Sequence, residues 1–151
     1  MTAHPTIDVA ACPRDFASVH PLVQEHIRYE RSDIVITEDW ERSISEQVSA
    51  GDLVILVARI DGNVVGYASM TSDVATWTGE RFGQLDCLYV DEARRGAGLG
   101  RLLVDAVAAA ARARGFHELQ WQTPEWNSDA IRFYERFGAV HRTKKRFTLI
   151  L

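Results

Sequence analysis

Residues 85–100 read LDCLYVDEARRGAGLG, and the chemistry lies in the stretch Arg95-Gly96-Ala97-Gly98-Leu99-Gly100-Arg101. A residue without Cβ lets a ligand approach the main chain closely. Unpaired N–H groups at the start of a helix, aided by the helix dipole, form an anion site suited to phosphate. A P-loop requires Lys and then Ser/Thr after its last glycine, whereas Arg101 and Leu102 follow Gly100. The dinucleotide pattern G-x-G-x-x-G, counted from Gly96, ends on Arg101 and also fails. What remains is R-x-x-G-x-G, from Arg95 through Gly98 to Gly100, after a strand ending Leu88-Tyr89-Val90. An ordinary strand–helix turn would read the same way.

A second constellation lies downstream. Asn127 is followed three residues on by Ala130, four further by Tyr134, and one helical turn later by Gly138-Ala139. A phenol with an ordinary pKa near ~10 is protonated at neutral pH and can donate that proton. Tyr134 equally completes an apolar stripe with Ala130, Phe133 and Phe137. A third position is Asp86, which alternation places on one strand face with Leu88 and Val90, where a charge is costly unless paired or used. Its partner is either a ligand or one of the many arginines. Neighbouring Cys87 has neither an adjacent His nor a helix N-terminus to lower its pKa, so it reads as a small buried hydrophobe.

The glycine loop and the Asn127–Ala139 stretch, in this order and with one helix and one strand between them, resemble the GNAT superfamily of N-acetyltransferases. The resemblance implies acetyl-CoA as acyl donor and no metal. It assigns the cofactor's pantetheine arm to the main chain of Leu88, Tyr89 and Val90, where an N–H makes an oxyanion-type contact. The loop Arg95, Gly96, Ala97, Gly98, Leu99, Gly100 and Arg101 holds the pyrophosphate, and Asn127 bonds the arm from the other side. Tyr134 becomes the general acid for the departing thiolate. Asp86 becomes the carboxylate that binds a protonated amine and passes its proton to water.

Tyr29-Glu30, Thr37-Glu38-Asp39, Val64–Ala68, Trp77-Thr78-Gly79 and Leu85-Asp86 further resemble the diamine (spermidine/spermine and thialysine-type) acetyltransferases. That likeness makes Tyr29, Glu30, Trp77 and Asp86 the acceptor site. The chain departs from the group in having Asp where Glu is usual at position 86, and in a shorter stretch after Ala139. The expected activity is acetyl transfer to a primary amine of a small cationic molecule. The alternatives are acetylation of a protein N-terminus or lysine, and a non-catalytic acyl-CoA sensor. Trp40, Trp77 and the acids Glu25, Glu30, Asp33, Glu38, Asp39 and Glu41 favour a closed pocket for a cation, although such a cluster is also what a solvated face looks like.

The bulk properties agree with one catalytic domain over residues 1–151. A chain of this length buries roughly 70% of its unfolded surface, and its 46% hydrophobic and 25% charged residues are those of an ordinary globular protein. A net charge of −4 argues against nucleic acid as a partner. Cys12 and Cys87 follow no metal or disulfide spacing. The first residues lack the cationic start and apolar core of a signal peptide, and no apolar run approaches the ~20 residues of a membrane span. A cytoplasmic location is expected.

Positioning these residues requires an α/β (α+β) fold, a mixed, mostly antiparallel central sheet flanked by helices, in the order β-α-α-β-β-β-α-β-α-β. Apolar spacing places strands at 6–11, 53–60, 63–75, 82–90 and 118–123, and helices at 14–31, 37–50, 99–114 and from Asn127 or Ser128 to Gly138. Asp61-Gly62 is a hairpin turn. Val140–Leu151 supplies one or two last strands, and its alternating Phe147, Leu149 and Leu151 suggest an edge that a homodimer covers.

Overall fold

The computed structural model describes residues 4–151. They fall into two units, one ending at Trp121 and the other comprising Gln122–Leu151. In the first unit the elements run β1 (Thr6–Val9), α1 (Pro13–Tyr29), α2 (Trp40–Ala50), β2 (Val54–Ile60), β3 (Asn63–Val74), β4 (Arg81–Val90), a 3-10 turn (Glu92–Arg94), α3 (Leu99–Ala113) and β5 (Leu119–Gln120). The second unit contains α4 (Ser128–Glu135). The five strands form one sheet in the order β1-β2-β3-β4-β5. β1 to β4 are antiparallel, and β5 joins β4 in parallel after the α3 crossover.

Two residue sets divide the sheet faces. Ile55, Val57, Tyr67 and Tyr89 pack with Phe16, Val19 and Leu22 of α1, and Trp40, Ile44 and Val48 of α2 close the edge of that cluster. On the other face Leu99, Leu103, Val104, Val107 and Ala111 form the buried stripe of α3. Leu102 lies outside that stripe and is exposed. The helix lies close to the sheet because β3 and β4 place glycines beneath it. A Cβ on Gly66 would stand 3.0 Å from Tyr89 O and 3.4 Å from Leu103 Cδ1. One on Gly83 would meet Leu119 Cδ1 at 3.0 Å and Met70 Sδ at 3.2 Å. These contacts fix the height of α3, and with it the loop at its start.

The β2–β3 hairpin turns through Asp61 and Gly62 with φ of 50° and 79°, the left-handed pair of a type I′ turn. The main departure from simple alternation is in β4. Ser69 faces Cys87 while Met70 faces Leu85, so Asp86 is an extra residue, a β-bulge. Leu85 and Gly83 belong to the α3 face, but Cys87 and Tyr89 belong to the α1 face. Asp86 is therefore not on one face with Leu88 and Val90, and it is exposed. The burial argument made for it from alternation does not hold, because the inserted residue resets the period of two.

β5 is only two residues long, pairing at Gly83–Leu119 and Gln84–Gln120. From Leu85 to Val90 the side of β4 turned away from β3 has no ladder partner among the described residues. Val140–Leu151, expected as strand, forms none. High β-propensity yields a strand only where a pairing edge meets it, and here Val140, Phe147, Leu149, Ile150 and Leu151 are exposed.

Candidate functional site

The glycine loop is built by three local features. Asp91 accepts the Ala93 N–H at 3.0 Å and starts the 3-10 turn. Gly96 and Gly98 then take φ of 82° and 79°, which a residue with Cβ adopts only under strain. Gly98 is the N-cap of the 15-residue α3, so no side chain satisfies the first N–H groups, and the first turn holds no acid. A Cβ at Gly96 or Gly98 would meet no protein atom within 4 Å, so the space above the main chain is open. Such a helix start fits a pyrophosphate. Arg101 pairs with Asp105 one turn on, Nε to Oδ2 at 3.3 Å.

Arg95 is engaged differently. Its Nε donates to Val90 O at 3.0 Å. Its guanidinium carbon stands 4.8 Å from the ring centre of Tyr29 and 5.2 Å from that of Tyr89, within cation–π range. The two rings are themselves 6.3 Å apart. The start of the loop is thereby joined to the end of α1.

On the α1 face the bulge meets a polar cluster that the sequence reading did not assemble. His26 Nδ1 lies 2.8 Å from the Tyr67 hydroxyl, its Nε2 is 3.6 Å from Glu30 Oε1, and its ring stacks on Tyr89 at 5.2 Å. Cys87 Sγ faces Asp86 Oδ2 at 3.6 Å, and it also shares hydrogen bonds with Tyr67 and Ser69. Burial pulls His26 below the usual imidazole range, opposed by Glu30 and Asp86. Burial also drives the Tyr67 phenol well above its ordinary value. The Cys87 thiol is pushed up to about 11 by burial and by the Asp86 charge. Cys87 is thus a thiol near neutral pH, a hydrogen-bonding group and not a nucleophile.

Tyr29, Glu30, Asp86, Tyr89 and Arg95 therefore share one region. Trp77 does not join them: it is 99% exposed in the turn at the opposite end of the β3–β4 pair from Val90. Trp40 stacks on His20 at 5.1 Å and is absorbed into the packing of α2 on α1. Within the acidic cluster, Glu25 is locally paired with Arg28, Asp39 with Arg42 at 2.7 Å, and Glu41 with His20 at 3.6 Å. In the second unit, Asn127 is 6% exposed and its Oδ1 accepts the Ala130 N–H at 3.2 Å, capping α4. Tyr134 lies on α4 against Phe133, ring centres 5.2 Å apart.

His26 and Tyr67 are the members that residue spacing did not single out. His26 lies on the inner stripe of α1 one residue before Ile27, and Tyr67 is one apolar residue among several in β3. Only the register that places Tyr67 opposite Tyr89 brings them beside the bulge.

Fold and loop together define an α/β protein with an open set of main-chain donors at a helix start, beside a β-bulge lined with carboxylates and aromatic rings. The profile of the acetyltransferase (GNAT) family matches residues 18–139, and the chain belongs to that family, as an acetyltransferase. Its relatives include the IAA acetyltransferase of Azospirillum brasilense, 28% identical over 125 residues that cover 83% of this chain and 78% of that one. The thialysine N-epsilon-acetyltransferase of Bos taurus is 32% identical over 81 residues, 54% of this chain and 47%, about half, of the bovine one. An aminoglycoside N-acetyltransferase solved in complex with CoA shares the fold with a TM-score of 0.83 at 17% identity, covering 99% of this chain and 97% of that one. No helix among the described residues is long and apolar enough to cross a membrane.

Proposed function

We propose that this acetyltransferase moves an acetyl group from acetyl-CoA to the primary amine of a small cationic molecule by direct attack. The observation that carries the reading is the pair of carboxylates around the bulge cluster: Glu30 Oε1 lies 3.6 Å from His26 Nε2, and Asp86 Oδ2 lies 3.6 Å from Cys87 Sγ. Two carboxylates at the edge of an aromatic-lined region suit an ammonium or guanidinium group. The thialysine and aminoglycoside names of its relatives support the same acceptor class.

Acetyl-CoA supplies an acetyl group activated as a thioester. The residues of the chain do the rest. The N–H groups from Gly96 to Arg101 hold the pyrophosphate. The unpaired edge of β4 at Leu88, Tyr89 and Val90 aligns the arm and offers an N–H to the carbonyl oxygen as it gains charge. Asn127 bonds the arm. Glu30, with Tyr29, belongs to the acceptor side. Asp86 holds the ammonium and passes its proton to water. Tyr134 gives a proton to the leaving thiolate.

The test is thiol release from acetyl-CoA across diamines, polyamines, amino acids and aminoglycosides, with Tyr134→Phe as companion. Release with a cationic amine and none with neutral ones supports the reading; no release with any amine overturns it. Tyr134→Phe keeps the ring against Phe133 and removes the proton, so kcat falls ~10²-fold with little change in melting temperature. Full turnover in that variant, where chemistry limits the rate, removes Tyr134 from the mechanism. A cytoplasmic homodimer belongs to the same proposal. The exposed Phe147, Leu149, Ile150 and Leu151 leave apolar area for a second copy to cover. Light scattering that finds only monomer at micromolar concentration counts against it.

A further inference from the structure

We propose that Tyr29, Tyr89 and Glu30 form the seat for the acceptor's cationic group, and that Arg95 fills this seat in the ligand-free protein, so that the acceptor and Arg95 compete for it. The inference deepens the proposed function and rests on it for the identity of the ligand at the glycine loop. Its basis is the cation already there. The Arg95 guanidinium lies over both rings, at 4.8 and 5.2 Å. It is near enough to His26 to oppose that ring's protonation, and Glu30, the next residue after Tyr29, has its Oε1 3.6 Å from the Nε2 of the same imidazole. A site that holds one guanidinium by two aromatic faces, with the carboxylate of Glu30 following Tyr29 in the chain, will hold another cation of similar size.

Arg95 also begins the glycine loop. Anions bound by the N–H groups from Gly96 to Arg101 lie beside its own backbone and attract its guanidinium away from the rings. Filling the loop thus empties the seat. Free energy is then coupled between the two sites through one side chain, and the coupling is reciprocal. Binding is ordered: the phosphorylated ligand first, the cation second. The Arg95 Nε bond to Val90 O anchors the resting position, and its loss is part of the change.

Calorimetry with cadaverine and agmatine as probes, with and without coenzyme A, tests the proposal without turnover. In the wild-type protein, coenzyme A tightens probe binding by about tenfold or more, the ordinary range of a coupling energy. In Arg95→Ala the probe binds in the absence of coenzyme A about as tightly as it binds the wild-type complex, and the coupling falls to within about twofold. Arg95→Gln retains a donor for Val90 O and gives the same result if the alanine variant folds poorly. Adding Tyr29→Leu to either variant weakens the probe again. If neither Arg95 variant binds the probe more tightly than the wild type without coenzyme A, the seat is not occupied by Arg95 and the proposal is wrong. Because that measurement needs neither coenzyme A nor catalysis, it separates this failure from failure of the acetyltransfer reading, which shows as absent thiol release in the wild type.

Discussion

Asp86 at the β4 bulge and Arg95 at the start of the glycine loop are nine positions apart in sequence, and the two sites do chemistry in opposite ways. The loop works through its main chain: Gly96 and Gly98 are exposed with left-handed φ angles, and the space above them is open. The bulge works through side chains. Asp86 and Cys87 are brought beside Tyr67 and His26 by one inserted residue, and burial sets the proton affinity of three of the group. A main-chain site needs only the right backbone conformation, so it tolerates change in its side chains but not in its glycines. A side-chain site tolerates backbone variation poorly, because one residue more or less in β4 moves Cys87 to the other face.

The largest effect expected from breaking the loop is that of Gly98→Val. The φ of 79° disfavours a β-branched residue, and the new side chain fills the open space where a phosphate approaches. Coenzyme A affinity should fall ~10²-fold, the scale of losing preorganised main-chain donors. A folded variant with unchanged calorimetric affinity would move the cofactor site elsewhere. At the bulge, Asp86→Asn keeps the shape and removes the charge. KM for a cationic acceptor should rise by roughly tenfold while coenzyme A affinity stays the same, and activity should shift toward higher pH if the carboxylate is the proton route. Equal losses in both affinities would mean that the two sites are not separate.

A smaller effect sharpens the contrast between exposed and buried chemistry. Cys12 is exposed at the start of α1, whereas Cys87 is half-buried with its thiol near 11. Iodoacetamide at pH 8 should alkylate Cys12 first and Cys87 more than tenfold more slowly, because the thiolate is the reacting form. Peptide mass spectrometry reads both sites in one sample. Comparable labelling would mean that the cluster under the bulge is open to water.

The same contrast explains what could be read from residues alone. The loop was legible because glycine spacing after a strand reports backbone conformation directly. The element order was legible for a similar reason, since apolar periodicity and the Asp61-Gly62 turn are local signals. Placing Asp86 failed because alternation counts in twos and a bulge leaves no mark in the residue types. His26 was invisible because its meaning comes from Tyr67, 41 residues away and on another element. The strand expected over Val140–Leu151 failed for the same physical reason: its alternation is real, but strand formation depends on a pairing edge that local sequence does not report.

The smallest effect, on stability, tests whether the bulge cluster is as dry as its geometry implies. Burial lowers the His26 pKa in the folded chain below its value near 6.5, so between those two values the unfolded chain binds the extra proton. Stability is then full above about pH 6.5, falls as the pH drops toward the folded value, and levels off below it, with a slope no steeper than ~1.4 kcal/mol per pH unit for one proton. Asp15, held low by the Ala11 N–H and also paired with Arg59, has the same sign but acts only below the ordinary carboxylate value of 3.8. The two contributions therefore separate along the pH axis. Urea titrations between pH 7.5 and 5 should show the slope in the wild type, and His26→Gln should flatten it. Glu30→Gln removes a charge that favours the imidazolium, so His26 falls lower still and the slope extends to more acidic pH. If the wild type is already flat across this range, His26 takes up its proton without penalty, water reaches the ring, and the bulge is as open as the loop.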